Sequence, residues 1–248
     1  MESLTMDNSN MESAMNPQMI RAKKLLLVIG IVGIIMFFAG LTSMHIVSRG
    51  AAAYWVNITM PTAFWWSTVL IILSSITLIG AVKAVKQGKK KLLNGLLILS
   101  LALGLAFVQS QVTGWSDMAD KGLHLRGGFL ENLKGEYGKD YYITTQEGLR
   151  VEYKNGHYYD PADPMGEKII DEEIGTFRNP AARNLITLTG LHALHVLGGI
   201  LWLVYLVVLG LMGRLTPAKS LNVTQGATYW HFVDILWVYL LLFLYFIH

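Results

Sequence analysis

The sequence contains no cysteine, which removes disulfides, thiolate metal sites and a cysteine nucleophile. Charge is scarce as well. Only 15% of the 248 residues are Asp, Glu, Lys or Arg, against about 25% in a soluble domain. The net charge of +3 is small, so the placement of charge matters more than its sum. Also missing are a Walker phosphate loop, a GxGxxG turn, an HExxH zinc helix and a serine-nucleophile elbow. No internal repeat is evident. These absences exclude a nucleic-acid-binding tail, a disordered chain and an ordinary cytosolic enzyme.

What is present is apolar. Hydrophobic residues make up 53% of the chain, and the mean hydropathy is +0.42. Residues 1–20 form a polar tail, followed by Arg21, Lys23, Lys24 and an apolar run over 25–47. That run is about 23 residues long, where the core of a cleavable signal is about 7–15. A retained spanning helix is therefore expected. Four more runs, at about 62–82, 92–113, 185–213 and 229–248, each reach the roughly 20 residues that cross a 30 Å hydrocarbon core. The fourth is long enough to tilt or to project beyond the bilayer. The expected fold is an all-α integral membrane protein, a five-transmembrane-helix bundle. Spans one to three lie within 21–114, an external insertion at 115–183, and spans four and five within 184–248.

Lysine and arginine set the orientation. Three basic residues precede span one, and the loop after span two carries Lys83, Lys86, Lys89, Lys90 and Lys91. The loop after span four has Arg214 and Lys219, whereas the loop after span one has only Arg49. The N-terminus and the lysine loop are expected on the cytoplasmic side, with His248 and the 115–183 loop outside. Besides fixing topology, Lys86, Lys89, Lys90 and Lys91 suit weak contact with anionic lipid headgroups.

The 115–183 loop holds 13 of the 17 acidic residues and nine basic ones. It is too long for a plain connector. Segments 141–145, 149–154 and 157–159 alternate and are aromatic or β-branched, with the hairpin turn Asn155-Gly156 between the last two. A small β-meander is expected there. Three uses fit it: a self-folded cap, docking to another subunit or protein complex, or contact with a basic mobile partner.

Chemistry inside the membrane falls to a few costly polar groups. Asp234 is the lone acid in a span and lies three positions after His231, on the same helical side. A hydrogen-bonded His231–Asp234 pair is expected, either as a structural lock or in proton handling. His192 and His195 share a face in span four. Two histidines at that spacing on one helix cannot clasp opposite sides of a haem, so hydrogen bonding to a carbonyl or carboxylate is expected, and no metal ligand set. Gln111 in span three suits a bond across helices or an interfacial position. Gly190, Gly198 and Gly199 allow close helix approach. Trp65, Trp66, Trp115, Trp230 and Tyr229 sit at span ends as interfacial anchors.

These residues also carry a resemblance. Thr189-Gly-Leu-His-Ala-Leu-His-Val-Leu-Gly-Gly199 and Tyr229-Trp-His-Phe-Val-Asp-Ile-Leu-Trp237 resemble the two signature stretches of subunit III of haem-copper cytochrome c oxidases. Met36-Phe-Phe-Ala-Gly40, and Gly104-Leu-Ala-Phe-Val108 with Gln111, resemble weaker stretches of that family. The likeness is to its five-helix form, which lacks two N-terminal helices of the usual seven. It implies an accessory subunit without haem or copper of its own. Such a subunit packs against oxidase subunits I and II, holds phospholipid and supports proton uptake. His192, His195, His231 and Asp234 would be structural or proton-side residues. Two glutamates common in the family are absent: Ile34 and Gly114 stand at those positions. The 127–175 insert has no counterpart in the typical form. Rival expectations are the subunit of a haem-copper quinol oxidase, a relative accompanying nitric oxide reductases, and a free-standing membrane transporter.

Overall fold

The computed structural model describes residues 17–123, 134–176, 180–217 and 220–247. In chain order the elements are α1 (Pro17–Gly50), β1 (Tyr54–Ile58), α2 (Thr62–Lys86), α3 (Lys90–Asp120), β2 (Tyr141–Thr145), β3 (Glu152–Lys154), β4 (His157–Tyr159), α4 (Asp171–Thr176), α5 (Ala181–Leu211) and α6 (Ser220–Ile247). Helices α1, α2, α3, α5 and α6 are each long and apolar enough to cross a membrane. The shortest, α2, has 25 residues. At about 1.5 Å per residue it reaches roughly 37 Å, beyond a hydrocarbon core of about 30 Å. The chain is an all-α integral membrane protein with small strand hairpins between its helices.

Helix ends follow local chemistry. Helix α1 already takes in residues 17–20, inside the stretch read as a tail. The rest of that tail, the basic Lys219 and the terminal His248 lie outside the described residues. At the end of α2, Gly88 takes φ 68°. The amide of Lys89 bonds the carbonyl of Ala84, and that of Gly88 bonds the carbonyl of Val85. This paired closure needs a left-handed residue, which glycine adopts freely. Gly122 and Gly213 close α3 and α5 in the same way. Gly88 and Gly122 fall outside the apolar runs, so α2 and α3 outlast the hydrophobicity that marks them, whereas Gly213 coincides with the end of the fourth run.

The chain divides into two compact units. One takes the chain up to Phe37 together with Ile71–Gly104 and Val196–Asp234. It contains the exposed lysines Lys83, Lys86, Lys89, Lys90 and Lys91. Its packing centres on Trp230, only 1% exposed. A Cβ on Gly104 would fall 2.9 Å from the Trp230 ring, and one on Gly199 2.8 Å from it. Trp230 is therefore a core residue and not an interfacial anchor: the bare backbone of two helices makes its slot. Gly190, by contrast, has open space beside it among the described residues.

The other unit takes Phe38–Leu70, Leu105–His195 and the chain from Ile235 onward. Here β1, in the short connection after α1, pairs antiparallel with β2, Tyr54 facing Thr145 and Ile58 facing Tyr141. Strands β3 and β4 form a separate hairpin in which Tyr153 faces Tyr158. Its turn places Asn155 at φ 54° and Gly156 at φ 87°, the left-handed pair of a tight hairpin turn. The expected meander is thus two small sheets, with an isolated bridge between Thr144 on β2 and Arg150 just before β3. Strand β1, with Trp55, Val56, Asn57 and Ile58 all buried, offered the stronger partner for β2. Trp65 and Trp66 are exposed, as anchors should be. Trp115 is half-buried and donates from Nε1 to Thr189 Oγ1 at 3.1 Å.

Candidate functional site

The polar groups of the spanning helices form one set in each unit. In the first unit, α6 presents His231 and Asp234. His231 Nδ1 lies 2.5 Å from Ser75 Oγ on α2, a hydrogen bond. Asp234 is 5% exposed, and neither carboxyl oxygen has a hydrogen-bond partner among the described residues. The expected His231–Asp234 bond is absent. One turn of helix puts both residues on one side, but Ser75 stands nearer to the imidazole and takes its bond. Ser75 Oγ also neighbours the Asp234 carboxyl without meeting hydrogen-bond geometry. Beside it on α2, Ser74 Oγ donates to the carbonyl of Ser100 at 3.1 Å, and Thr77 Oγ1 and Ser100 Oγ bond at 2.7 Å. These hydroxyls fasten α2 to α3.

In the second unit, His192 is 1% exposed and caged by rings. It stacks on Trp237, centroids 5.3 Å apart, and meets Phe38 and Phe107 edge-on. Neither ring nitrogen has a hydrogen-bond partner among the described residues. The hydrogen bonding expected of His192 is replaced by aromatic contact, because the groups around it are carbon faces. His195 does have a carbonyl partner, donating from Nδ1 to Leu191 O at 2.8 Å. Trp237 donates from Nε1 to Thr68 Oγ1 at 3.0 Å and meets Phe64 and Phe107 edge-on. Gln111 donates from Nε2 to Ser67 Oγ at 2.7 Å, a bond from α3 to α2.

Gly114, at a position where the resemblance places a glutamate, has no room for a side chain. A Cβ there would lie 2.4 Å from the Phe64 ring. Phe64 fills the volume that a side chain at this position would occupy. Residues that the sequence did not single out include Ser75, Phe64 and His45. His45 is fully buried between the edges of Trp55 and Phe243. A serine on an apolar helix facing a histidine on another could have been found only from the packing. Among the described residues, no three His, Asp or Glu side chains gather to hold a metal ion.

Outside the spans, the insert is tied by ion pairs and tyrosines. Lys121 bridges Asp117 and Asp140, each at 3.0 Å. Tyr54 donates to Glu173 Oε2 at 2.9 Å; burial, then that carboxylate, pushes its phenol up to about 12. Asp163 accepts from the amides of Lys168, Met165 and Glu167, which hold its carboxyl below the ordinary carboxylate range.

Residues 183–248 match the family model for cytochrome c oxidase subunit III. That stretch covers nearly all of α5 and all of α6, including His192, His195, His231 and Asp234. The chain is 25% identical over 220 residues to the probable cytochrome c oxidase subunit 3 of Nocardia farcinica, covering 86% of this chain and 82% of the relative. It is 26% identical over 216 residues to the protein of the same description in Mycobacterium leprae, with the same shares, 86% and 82%. It is 33% identical over 70 residues to the cytochrome bo(3) ubiquinol oxidase subunit 3 of Pseudomonas aeruginosa, 28% of this chain and 35% of that one.

Proposed function

We propose that this chain, which is similar to cytochrome c oxidase subunit III, is the accessory, non-catalytic subunit of a proton-pumping haem-copper cytochrome c oxidase. The complex passes electrons from cytochrome c to oxygen, giving water; this chain stabilises the catalytic subunit and supports proton uptake without a redox centre of its own. Its partners are oxidase subunits I and II and membrane phospholipid. The observation that carries this reading is that likeness to proteins named cytochrome c oxidase subunit 3 extends over 86% of the chain, whereas likeness to the quinol oxidase subunit covers 28%.

Within that reading, the N-terminus and the lysine turn face the cytoplasm of a bacterial cell, and the insert faces outward. Positive charge retained on the cytoplasmic side supports this. His231 and Asp234, in the unit that holds the lysine turn, then lie toward the proton-uptake side. His192, His195 and Gln111 act as packing and locking groups. Lys86, Lys89, Lys90 and Lys91 contact anionic headgroups. The insert offers a surface for another respiratory complex or for cytochrome c.

Purification of the intact complex from mild detergent tests the proposal. The expected result is this chain with two larger partners, a haem spectrum, and oxygen uptake driven by reduced cytochrome c. The chain expressed alone should show no Soret band and no stoichiometric metal. Oxygen uptake with quinol alone would move the assignment to the quinol oxidase; recovery of the chain without any haem protein would favour a free-standing transporter.

A further inference from the structure

The insert contains an open concavity of about 670 Å³ that neither the helices nor the oxidase reaction requires. Its walls include Tyr137, Tyr141, Tyr153 and Tyr158, with Glu136 and Asp171. The rings pack on one another: Tyr153 and Tyr158 at 4.8 Å between centroids, Tyr137 and Tyr153 at 5.5 Å, Tyr137 and Tyr158 at 5.7 Å. Three hydroxyls are already engaged. Tyr141 and Tyr158 bond each other at 3.1 Å, and Tyr137 donates to the carbonyl of Val151. What remains toward the concavity is ring surface, whose faces carry partial negative charge. Tyr153 is 45% exposed. No lysine or arginine lines the concavity among the described residues.

The two carboxylates differ. Asp171 is held by His157 Nδ1 and the Tyr158 amide. The Glu136 carboxylate is bound, among the described residues, by the exposed Lys139 alone at 3.1 Å, a surface pair of the kind that exchanges easily with solvent or another cation. The insert also shows which cation its rings accept. The Arg150 guanidinium lies 5.0 Å from the centroid of Tyr142 and 5.8 Å from that of Tyr137, within cation–π range. A flat guanidinium matches both a ring face and a carboxylate.

We propose that this tyrosine-lined concavity receives an arginine side chain presented by a basic protein partner on the outer side of the membrane. Stacked tyrosines supply area and a cation-attracting face, and Glu136 supplies the opposing charge. Arginine and tyrosine are the residue types enriched where interface energy concentrates. The inference rests on the outward placement of the insert proposed above.

A fluorescently labelled hexa-arginine peptide is the probe, titrated into the intact complex in mild detergent. The variants are Tyr153→Leu, Tyr153→Phe and Glu136→Gln. Wild type and Tyr153→Phe should bind alike, because the ring is kept. Tyr153→Leu should weaken binding about two- to fivefold, the span of one exposed cation–π contact. Glu136→Gln should weaken it at low salt. Equal binding by wild type and Tyr153→Leu would overturn the proposal, since only diffuse charge would then be at work. Binding of phosphocholine but not of peptide would overturn it in favour of a lipid headgroup. Right-side-out vesicles separate the two readings. Peptide bound in detergent but not from outside refutes the outward placement; peptide bound in neither refutes the pocket.

Discussion

Ser75, and not Asp234, holds His231, so Ser75 and not Asp234 is the position where loss of the bond is read. Ser75→Ala should leave the imidazole without its bond and cost about 1–3 kcal/mol. Asp234→Ala keeps the bond. Retention of the chain in the complex through stepwise detergent washing should therefore fall more for Ser75→Ala. Wild-type retention of Ser75→Ala would show that the bond contributes nothing. Steric exclusion governs two other residues. Gly199→Leu must displace Trp230, an overpacking cost of about 1–3 kcal/mol, read as a lower temperature of chain loss. Gly114→Glu collides with Phe64. The double change Gly114→Glu with Phe64→Ala should be retained better than Gly114→Glu alone, because the ring's volume is released. If the two behave alike, Phe64 is not what excludes the carboxylate.

At the scale of elements, the β3–β4 hairpin and the 160–168 turn have separate weak points. Gly156 sits at φ 87°, where a branched side chain is strained by roughly 1–2 kcal/mol. Gly156→Val should open the insert to protease nicking while the spanning helices stay intact. The turn depends on ionised Asp163, whose carboxyl is held low by the amides of Lys168, Met165 and Glu167. A lowered value in the folded state means that its contribution is fully present above the unfolded value, near pH 4. It is lost as pH falls through the lowered native value. Cleavage of this turn by pepsin should rise as pH drops below about 4, and Asp163→Asn should already be cleaved at the upper end of that range. A cleavage rate that does not change with pH would remove Asp163 from the account.

For the whole molecule, sidedness is the testable property, and the lack of cysteine makes the test clean. Glu147 and Lys90 are both exposed. In intact cells an impermeant maleimide should label Glu147→Cys and leave Lys90→Cys unmodified until the membrane is opened. The opposite pattern would invert the chain and withdraw the outward placement of the insert. The one acid well inside a spanning helix is Asp234, 5% exposed. A hydrophobic carbodiimide should accordingly modify a peptide from α6 and none from α1 or α2.

The sequence by itself determined the five spans, because about 20 apolar residues in a row can be satisfied in few ways other than by crossing a bilayer as a helix. It also determined the β3–β4 turn, since Asn155-Gly156 carries its left-handed preference locally, and the likeness of α5 and α6 to a known family. Helix ends were shifted, because glycine closures such as Gly88 and Gly122 act beyond the apolar run. What only the tertiary structure decided are choices among competing partners. Strand β2 pairs with β1, more than 80 residues earlier, and His231 takes Ser75 on another helix. Trp230 leaves the interface for a slot made by Gly104 and Gly199, and Phe64 takes the volume beside Gly114. Each depends on distances between segments far apart in the chain. A periodicity or a motif reports which side of a helix a residue occupies, but not which atom on the next helix is nearest.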